Sequence, residues 1–184
     1  MTSPKRVDKR ILLKVTCWNV RTLQDSNKSE CPQRKSALVA LELTRLDVDI
    51  AALSEGRLAI QGSLTERRAS YTLYWSERGP EEHKQSGVAF MVKQSLAKKL
   101  LDIPAGHSDR LMSLILPLYG SRYVTIISAY APTLQTEPET KERFYADLRR
   151  VLCKVDTTDK LIIMGDFKFS TLEWGTTTAL GQVS

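Results

Sequence analysis

Apolar and polar positions along the first third of the chain predict a strand, a helix and a second strand. The segment RILLKVTCWNV alternates as a half-buried strand does and ends near Asn19. Helical spacing of apolar residues over 33–46 predicts an amphipathic helix. The apolar run VDIAALSE follows, and this predicted strand ends on a carboxylate, Glu55.

The remaining pattern predicts two pairs of strands and one more helix before a last strand. YTLYWS and SGVAFMV form one predicted pair, joined by a polar loop, and DRLMSLILPL and RYVTIISAYAP form another, antiparallel pair. PETKERFYADLRRVLCKV carries apolar residues on one face and charges on the other, which predicts a helix. It leads into LIIMGDF, an apolar strand that ends at Asp166.

Strands that alternate with helices and also pair as hairpins indicate an α/β fold with mixed sheets. The simplest arrangement is two sheets packed face to face with helices outside. We predict a basic tail over residues 1–10, one domain over 11–169, and an irregular tail over 170–184. That last segment is rich in Ser, Thr and Gly and shows little periodicity.

Composition is ordinary for a globular chain of 184 residues, with 42% hydrophobic and 26% charged residues. No apolar run approaches the ~20 residues that a membrane span needs, so we expect no membrane association. The opening MTSPKRVDKR lacks the apolar stretch of a signal peptide, which favours an intracellular location.

The three cysteines are odd in number and widely spaced, which suits neither a disulfide framework nor a zinc site. We expect reduced thiols, with Cys17 and Cys153 in the core. The net charge of +6 favours a polyanionic partner such as nucleic acid. The basic residues are spread along the chain, however, so solvated charged faces are an equally simple interpretation.

Four polar residues lie at the ends of predicted core strands: Asn19, Glu55, Tyr130 and Asp166. Ligands of α/β sheets bind at strand ends, so these side chains converge if the strands assemble side by side. A single carboxylate at such a position has a second explanation, because carboxylates also form turns and helix caps. The candidate site therefore depends on all four residues together.

The order of several short motifs indicates a protein family more specifically than single strand-end residues do. WNVRTL, ALSE, SGVAF, DRLM, ISAYAPT, FYADL and LIIMGDF occur in the order typical of the endonuclease/exonuclease/phosphatase superfamily. Over roughly residues 11–169 the chain resembles this superfamily, and most of all its retrotransposon-type endonucleases, the group that includes craniofacial-development-protein-2-like chains.

This resemblance implies a four-layer α/β sandwich that cleaves phosphoesters with Mg²⁺. It implies that Glu55 binds the metal ion, that Asn19 holds the phosphate or the metal's ligand shell, and that Tyr130 contacts the scissile phosphate. Asp166 would orient the attacking water as a general base. Mg²⁺ prefers hard oxygen ligands and keeps several waters, so one glutamate suffices to anchor it.

Three cations each follow a candidate residue by two positions: Arg21, Arg57 and Lys168. If all three face the same cleft, they form a rim that attracts phosphate. The alternative is that they are solvated loop charges.

The chain departs from the family pattern in two respects. Lys168 replaces an asparagine, and an ammonium beside Asp166 would make that carboxylate a poorer base, although it can also bind phosphate. A later Asp-His motif has no counterpart, because His83 and His107 both precede the final strand. We therefore expect a truncated domain that lacks the C-terminal strands, with weak or no catalysis.

Three functional hypotheses remain. The first is a Mg²⁺-dependent endonuclease that hydrolyses the DNA backbone with activated water, in the nucleus if DNA is the substrate. The second is a non-catalytic nucleic-acid-binding or scaffold protein. The third is a phosphatase acting on small phosphoesters, which the spacing of the motifs does not distinguish from the first.

Overall fold

The computed structural model describes residues 12–24, 34–58, 61–76, 87–118 and 121–166. These residues form two mixed β-sheets that pack face to face, with helices on the outside. The predicted tails over 1–10 and 170–184 lie outside the described residues, so the proposed domain boundaries stay predictions.

The first sheet has five strands in the order β1-β2-β5-β4-β3. Its strands are β1 (Val15–Asn19), β2 (Ile50–Ser54), β3 (Gly62–Glu66), β4 (Tyr71–Trp75) and β5 (Val88–Lys93). β1 runs parallel to β2 with Asn19 opposite Ser54, and the other neighbours are antiparallel. β2 and β5 are buried along nearly their whole length, which explains their almost uninterrupted apolar sequences.

The second sheet has four strands in the order β6-β7-β8-β9. Its strands are β6 (Ala105–Ser108), β7 (Leu111–Pro117), β8 (Tyr123–Tyr130) and β9 (Lys160–Asp166). β7 and β8 form the predicted antiparallel pair, and β9 runs parallel to β8 with Asp166 opposite Tyr130. A parallel neighbour needs a crossover connection, and the second predicted helix provides it.

The helices are α1 (Lys35–Arg45), the single turn α2 (Gln94–Ala97) and α3 (Pro138–Leu152). α1 buries Ala40 and Leu43 among apolar side chains on the outer face of the first sheet. α3 buries Phe144, Leu148 and Val151 on the outer face of the second. A third apolar cluster fills the space between the sheets. The four layers predicted for the fold are therefore confirmed.

One buried carboxylate has a structural role in the first sheet. Glu66 ends β3 with 6% of its surface exposed, and it accepts hydrogen bonds from the Ser36 hydroxyl at 2.6 Å and the Arg34 guanidinium at 3.2 Å. Pairing of a buried charge with two donors compensates its desolvation. Glu66 thus ties the beginning of α1 to the edge of this sheet.

Several sequence predictions need correction. α1 covers Lys35–Arg45 and is shorter than the predicted helix over 33–46. β3 and β6 were not predicted at all. Cys17 and Cys153 were expected in the core, but both are exposed. The reason is topological, because β1 is an edge strand within the described sheet and Cys153 follows the last turn of α3.

None of the helices in the described part of the chain has the length and hydrophobicity needed to cross a membrane.

Candidate active site

Two pairs of parallel strands place the four predicted polar residues at one end of the molecule. Asn19 is the last residue of β1, and Glu55 directly follows β2, its parallel neighbour. Tyr130 and Asp166 are the last residues of β8 and β9 and lie opposite each other in the second sheet. Parallel neighbours end at the same edge of a sheet, which is why residues far apart in the chain meet here.

Glu55 is the centre of a hydrogen-bonded group that joins the two sheets. Its Oε1 atom accepts a hydrogen bond from the Asn19 amide nitrogen at 2.7 Å and another from the Tyr130 hydroxyl at 3.0 Å. Tyr130 and Glu55 are 75 positions apart in sequence. The predicted convergence is therefore observed directly for these three side chains.

Asp166 belongs to the same end of the molecule. It lines a cavity of about 220 Å³ together with Asn19 and Cys17. Burial is the largest cause that raises the pKa of Tyr130, and the negative charge of Asp166 is a further one. Asp166 thus lies near the hydrogen-bonded group on the side of Asn19, whereas Glu55 and Tyr130 do not line this cavity.

The Tyr130 hydroxyl is held in its protonated form. Burial raises its pKa first, and the hydrogen bond to the Glu55 carboxylate raises it further, since an ionised phenol could not donate that bond. Arg110 acts in the opposite direction on the same pKa. At neutral pH Tyr130 is therefore a hydrogen-bond donor.

The loops at this end adopt an uncommon backbone conformation. Arg21, Glu55 and Arg57 have φ angles of 59°, 58° and 57°, in the left-handed region that residues other than glycine seldom occupy. Gly87, with φ 124°, accepts a hydrogen bond from Gly56 at 3.1 Å, and a Cβ on Gly87 would lie 3.1 Å from the Arg57 nitrogen. Strained backbone of this kind is concentrated at functional sites.

The three cations predicted to form a phosphate-attracting rim differ in where the structure places them. The Arg57 guanidinium lies 3.7 Å from Glu55 Oε2 with a third of its side chain exposed, so a freely solvated loop charge does not describe it. Arg21 contacts the site through its backbone N–H, which donates to Asn19 Oδ1 at 3.0 Å. Lys168 lies outside the described residues. Phosphate binding by these residues stays a prediction.

The donor atoms at Glu55 fit a hydrated Mg²⁺ ion better than a metal enclosed by protein ligands. The described residues contain no group of three or more His, Cys, Asp or Glu side chains able to hold a metal ion. Mg²⁺ is usually bound by one or two carboxylates, with waters and substrate phosphates as the other ligands. Glu55, with Asn19 beside it and Asp166 nearby, is a donor set of that kind.

Sequence reasoning missed one side chain next to this group. Arg110 lies in the turn between β6 and β7 and places its guanidinium over the Tyr130 ring, 5.1 Å from the ring centroid. The motif DRLM contains Arg110, but nothing in its spacing relates it to the tyrosine twenty residues later.

Comparison with known proteins is consistent with the fold and with the chain's motifs. Residues 16–169 match the model of the endonuclease/exonuclease/phosphatase family. Craniofacial development protein 2 of Bos taurus is 28% identical over 151 residues, which cover 82% of this chain and 23% of that protein. The chain thus spans about a quarter of the length of this relative.

Solved structures show the same fold at low sequence identity. The human Nocturnin catalytic domain with bound sulfate has a TM-score of 0.58 at 16% identity, covering 84% of this chain and 64% of that one. TDP2 of D. rerio, in complex with a single-strand DNA product, has a TM-score of 0.53 at 16% identity, covering 84% and 60%. The chain therefore belongs to the endonuclease/exonuclease/phosphatase family, whose members include nucleases, phosphodiesterases and phosphatases and generally use divalent metal ions.

Proposed function

We propose that the chain carries a Mg²⁺-dependent phosphodiesterase site that hydrolyses the DNA backbone, at the low rate expected with the Lys168 ammonium two residues from Asp166. The observation that carries the proposal is the hydrogen-bonded group in which Glu55 Oε1 accepts from both Asn19 and Tyr130. A carboxylate with two protonated donors at the open ends of strands can anchor a hard cation and present donors to a phosphate.

Each side chain has a distinct part in the proposed hydrolysis. Asp166 accepts a proton from a water whose oxygen forms the new bond to phosphorus, while the bond to the departing oxygen breaks and that oxygen takes up a proton from solvent. Tyr130 redirects its one O–H from Glu55 to a phosphate oxygen, and its raised pKa keeps that O–H protonated. Asn19 orients Glu55 through their 2.7 Å hydrogen bond.

Glu55 would hold the Mg²⁺ ion, which supplies Lewis-acid stabilisation of the charge on the phosphoryl oxygens. The Arg57 guanidinium, now 3.7 Å from Glu55 Oε2, would then be available to the phosphate of the substrate.

Two observations favour DNA among phosphoester substrates. The net charge of the chain is +6, which attracts a polyanion and predicts salt-dependent binding. A structure with the same fold, TDP2 of D. rerio, was solved with a single-strand DNA product. DNA as the substrate would also imply action in the nucleus.

A second candidate function is nucleic-acid binding without catalysis. Arg57 supports it, because its guanidinium already provides positive charge beside Glu55, where the Mg²⁺ ion of the first proposal would bind. Both candidates predict salt-dependent DNA binding, but only the first predicts a response to Mg²⁺.

Nicking of supercoiled plasmid DNA, with and without Mg²⁺, tests the proposed hydrolysis. We expect nicking that requires Mg²⁺, and we expect Asp166→Asn to lower the rate by about a hundredfold or more, because an amide is not a general base. Cleavage of a small phosphodiester but not of DNA would indicate another phosphoester substrate. Mg²⁺-independent binding with no nicking would favour the second candidate.

Thermal stability provides a measurement that does not depend on turnover. At a Mg²⁺ concentration ten times its dissociation constant, binding at Glu55 stabilises the fold by about 1.4 kcal/mol, or roughly 4 °C in melting temperature. The Glu55→Gln variant should lose this Mg²⁺-dependent increase. An equal increase in both proteins would place the bound ion elsewhere.

A further inference from the structure

We propose that Arg110 is a positioning residue that fixes the ring and the backbone of Tyr130, the hydrogen-bond donor of the candidate site. The inference rests on the proposed function, because it concerns the donor that Tyr130 presents to a phosphate oxygen. It assigns a role to a residue that the strand-end pattern does not include.

Three contacts connect Arg110 to Tyr130. The guanidinium carbon lies over the aromatic ring, 5.1 Å from its centroid. The guanidinium Nη1 donates to the Tyr130 carbonyl oxygen at 3.4 Å, and the Arg110 carbonyl accepts from the Tyr130 N–H at 2.9 Å. One residue thus holds both the backbone of Tyr130 and a face of its ring.

Arg110 is itself held in place. Only 11% of its side chain is exposed, and its Nε atom lies 3.6 Å from Asp109 Oδ2, in a side chain that is 10% exposed. Its backbone N–H donates to the Ser108 hydroxyl at 3.2 Å. The Ser108 carbonyl in turn accepts from the Ser76 hydroxyl, at the end of β4 in the other sheet. The position of the guanidinium is therefore set by contacts from both sheets.

Burial of Arg110 against Tyr130 favours a role in which Arg110 acts through Tyr130 and does not itself contact a phosphate. An arginine that binds a DNA backbone presents its guanidinium to solvent, whereas this guanidinium faces a ring and a carbonyl and is mostly buried. A cation over an aromatic face is attracted by the ring and stabilises negative charge on it.

A fixed ring helps a transition state that gains charge on phosphate oxygens. Because the ring is held before substrate binds, little reorganisation is needed when the hydrogen bond forms. Lysine would keep the charge but lacks the planar guanidinium that lies over the ring and donates to the carbonyl.

Cleavage kinetics, measured with the natural Tyr130 and in the Tyr130→Phe variant, separate this role from a general effect on folding. We expect Arg110→Met to lower kcat for Mg²⁺-dependent DNA cleavage by about tenfold with KM little changed, and Arg110→Lys to restore part of the loss. In a Tyr130→Phe background the Met substitution should have no further effect. An equal loss in both backgrounds, or a loss confined to KM, would overturn the proposal.

NMR of the Tyr130 ring tests the positioning without any turnover. With ¹³C-labelled tyrosine ring carbons, the Tyr130→Phe variant assigns one signal among the six tyrosines. Arg110→Met should increase the mobility of the Tyr130 ring, measured by ¹³C relaxation, and Arg110→Lys, which lacks the planar guanidinium, should do so to a smaller extent and serves if the methionine variant does not fold. Unchanged ring mobility would overturn the proposal. Increased mobility in a chain that cleaves no DNA would support the positioning and contradict the proposed hydrolysis.

Discussion

Glu55→Gln is expected to lower Mg²⁺-dependent DNA cleavage by about a thousandfold, since metal-ion stabilisation of phosphoryl charge is worth several kcal/mol. The glutamine oxygen can still accept from Asn19 and Tyr130, which donate to Glu55 at 2.7 Å and 3.0 Å, so the fold should survive. What is lost is the negative charge that anchors the ion. Plasmid nicking rates measured over a range of Mg²⁺ concentrations give the size of the effect.

Glu66→Gln is a matched control for the same chemical change at a buried carboxylate. Glu66 bonds Ser36 and Arg34 and does not belong to the candidate site, so we expect a loss of about 1–2 kcal/mol in stability with the Mg²⁺ dependence of nicking retained. Comparable loss of nicking in the two variants would mean that Glu55 has no special part in metal binding.

Gly165→Ala is expected to destabilise the fold by about 3 kcal/mol and to displace Asp166, because overpacking and backbone strain both act at this position. Gly165 has φ 154° and pairs with Ala129, and a Cβ would lie 1.7 Å from the Ala129 carbonyl oxygen. This obstacle is backbone, so no side-chain rotation relieves it. Urea unfolding of the variant measures the loss.

Gly56→Ala provides the control for Gly165→Ala at the same end of the molecule. A Cβ on Gly56 would meet Leu23 Cδ1 at 3.7 Å, which is ordinary van der Waals contact. We expect a change in unfolding free energy within about 0.5 kcal/mol. Equal midpoints for the two variants would show that β9 does not approach β8 as closely as the structure has it.

The elements that sequence predicted best are those whose burial dictates their composition. β2 and β8 lie inside their sheets and are mostly apolar in sequence, so their polar ends at Glu55 and Tyr130 were evident. Convergence of the strand ends was expected if the strands assemble side by side, and two parallel pairs bring it about in the structure. The assignment of roles to these residues came from the resemblance, because spacing alone does not distinguish a turn former from a ligand.

The elements that sequence reasoning missed carry little pattern of their own. β3 (Gly62–Glu66) and β6 (Ala105–Ser108) are strands of four or five residues with few apolar side chains, and they lie at the edges of the sheets formed by the described residues. Each pairs with the next strand in the chain across a short turn, β3 with β4 and β6 with β7. Such strands form because an adjacent strand offers backbone hydrogen-bond partners. This leaves no hydrophobic periodicity in the short strand's own sequence.

The position of Arg110 shows why strand ends alone do not identify every residue of the candidate site. Its contact with Tyr130 depends on the β6–β7 turn, which the sequence did not predict, and on the antiparallel pairing of β7 and β8. The exposure of Cys17 has a similar origin, because it depends on β1 being an edge strand among the described residues. Both features depend on how the strands pair in the folded chain, and the sequence pattern does not give the register of that pairing.

Mapping of Mg²⁺ binding by backbone amide NMR tests the site most directly, because it locates the ion without requiring turnover. We predict that Mg²⁺ shifts the signals of Asn19, Glu55 and Tyr130 while leaving Asp47 and Asp49, which precede the other end of β2 about 17 Å away, unchanged. Asp47 is an internal control, because Lys14 and Lys93 already pair with it and hold its pKa at about 2. Shifts confined to Asp47 and Asp49, with none at Glu55, would contradict a metal-dependent site at the strand ends.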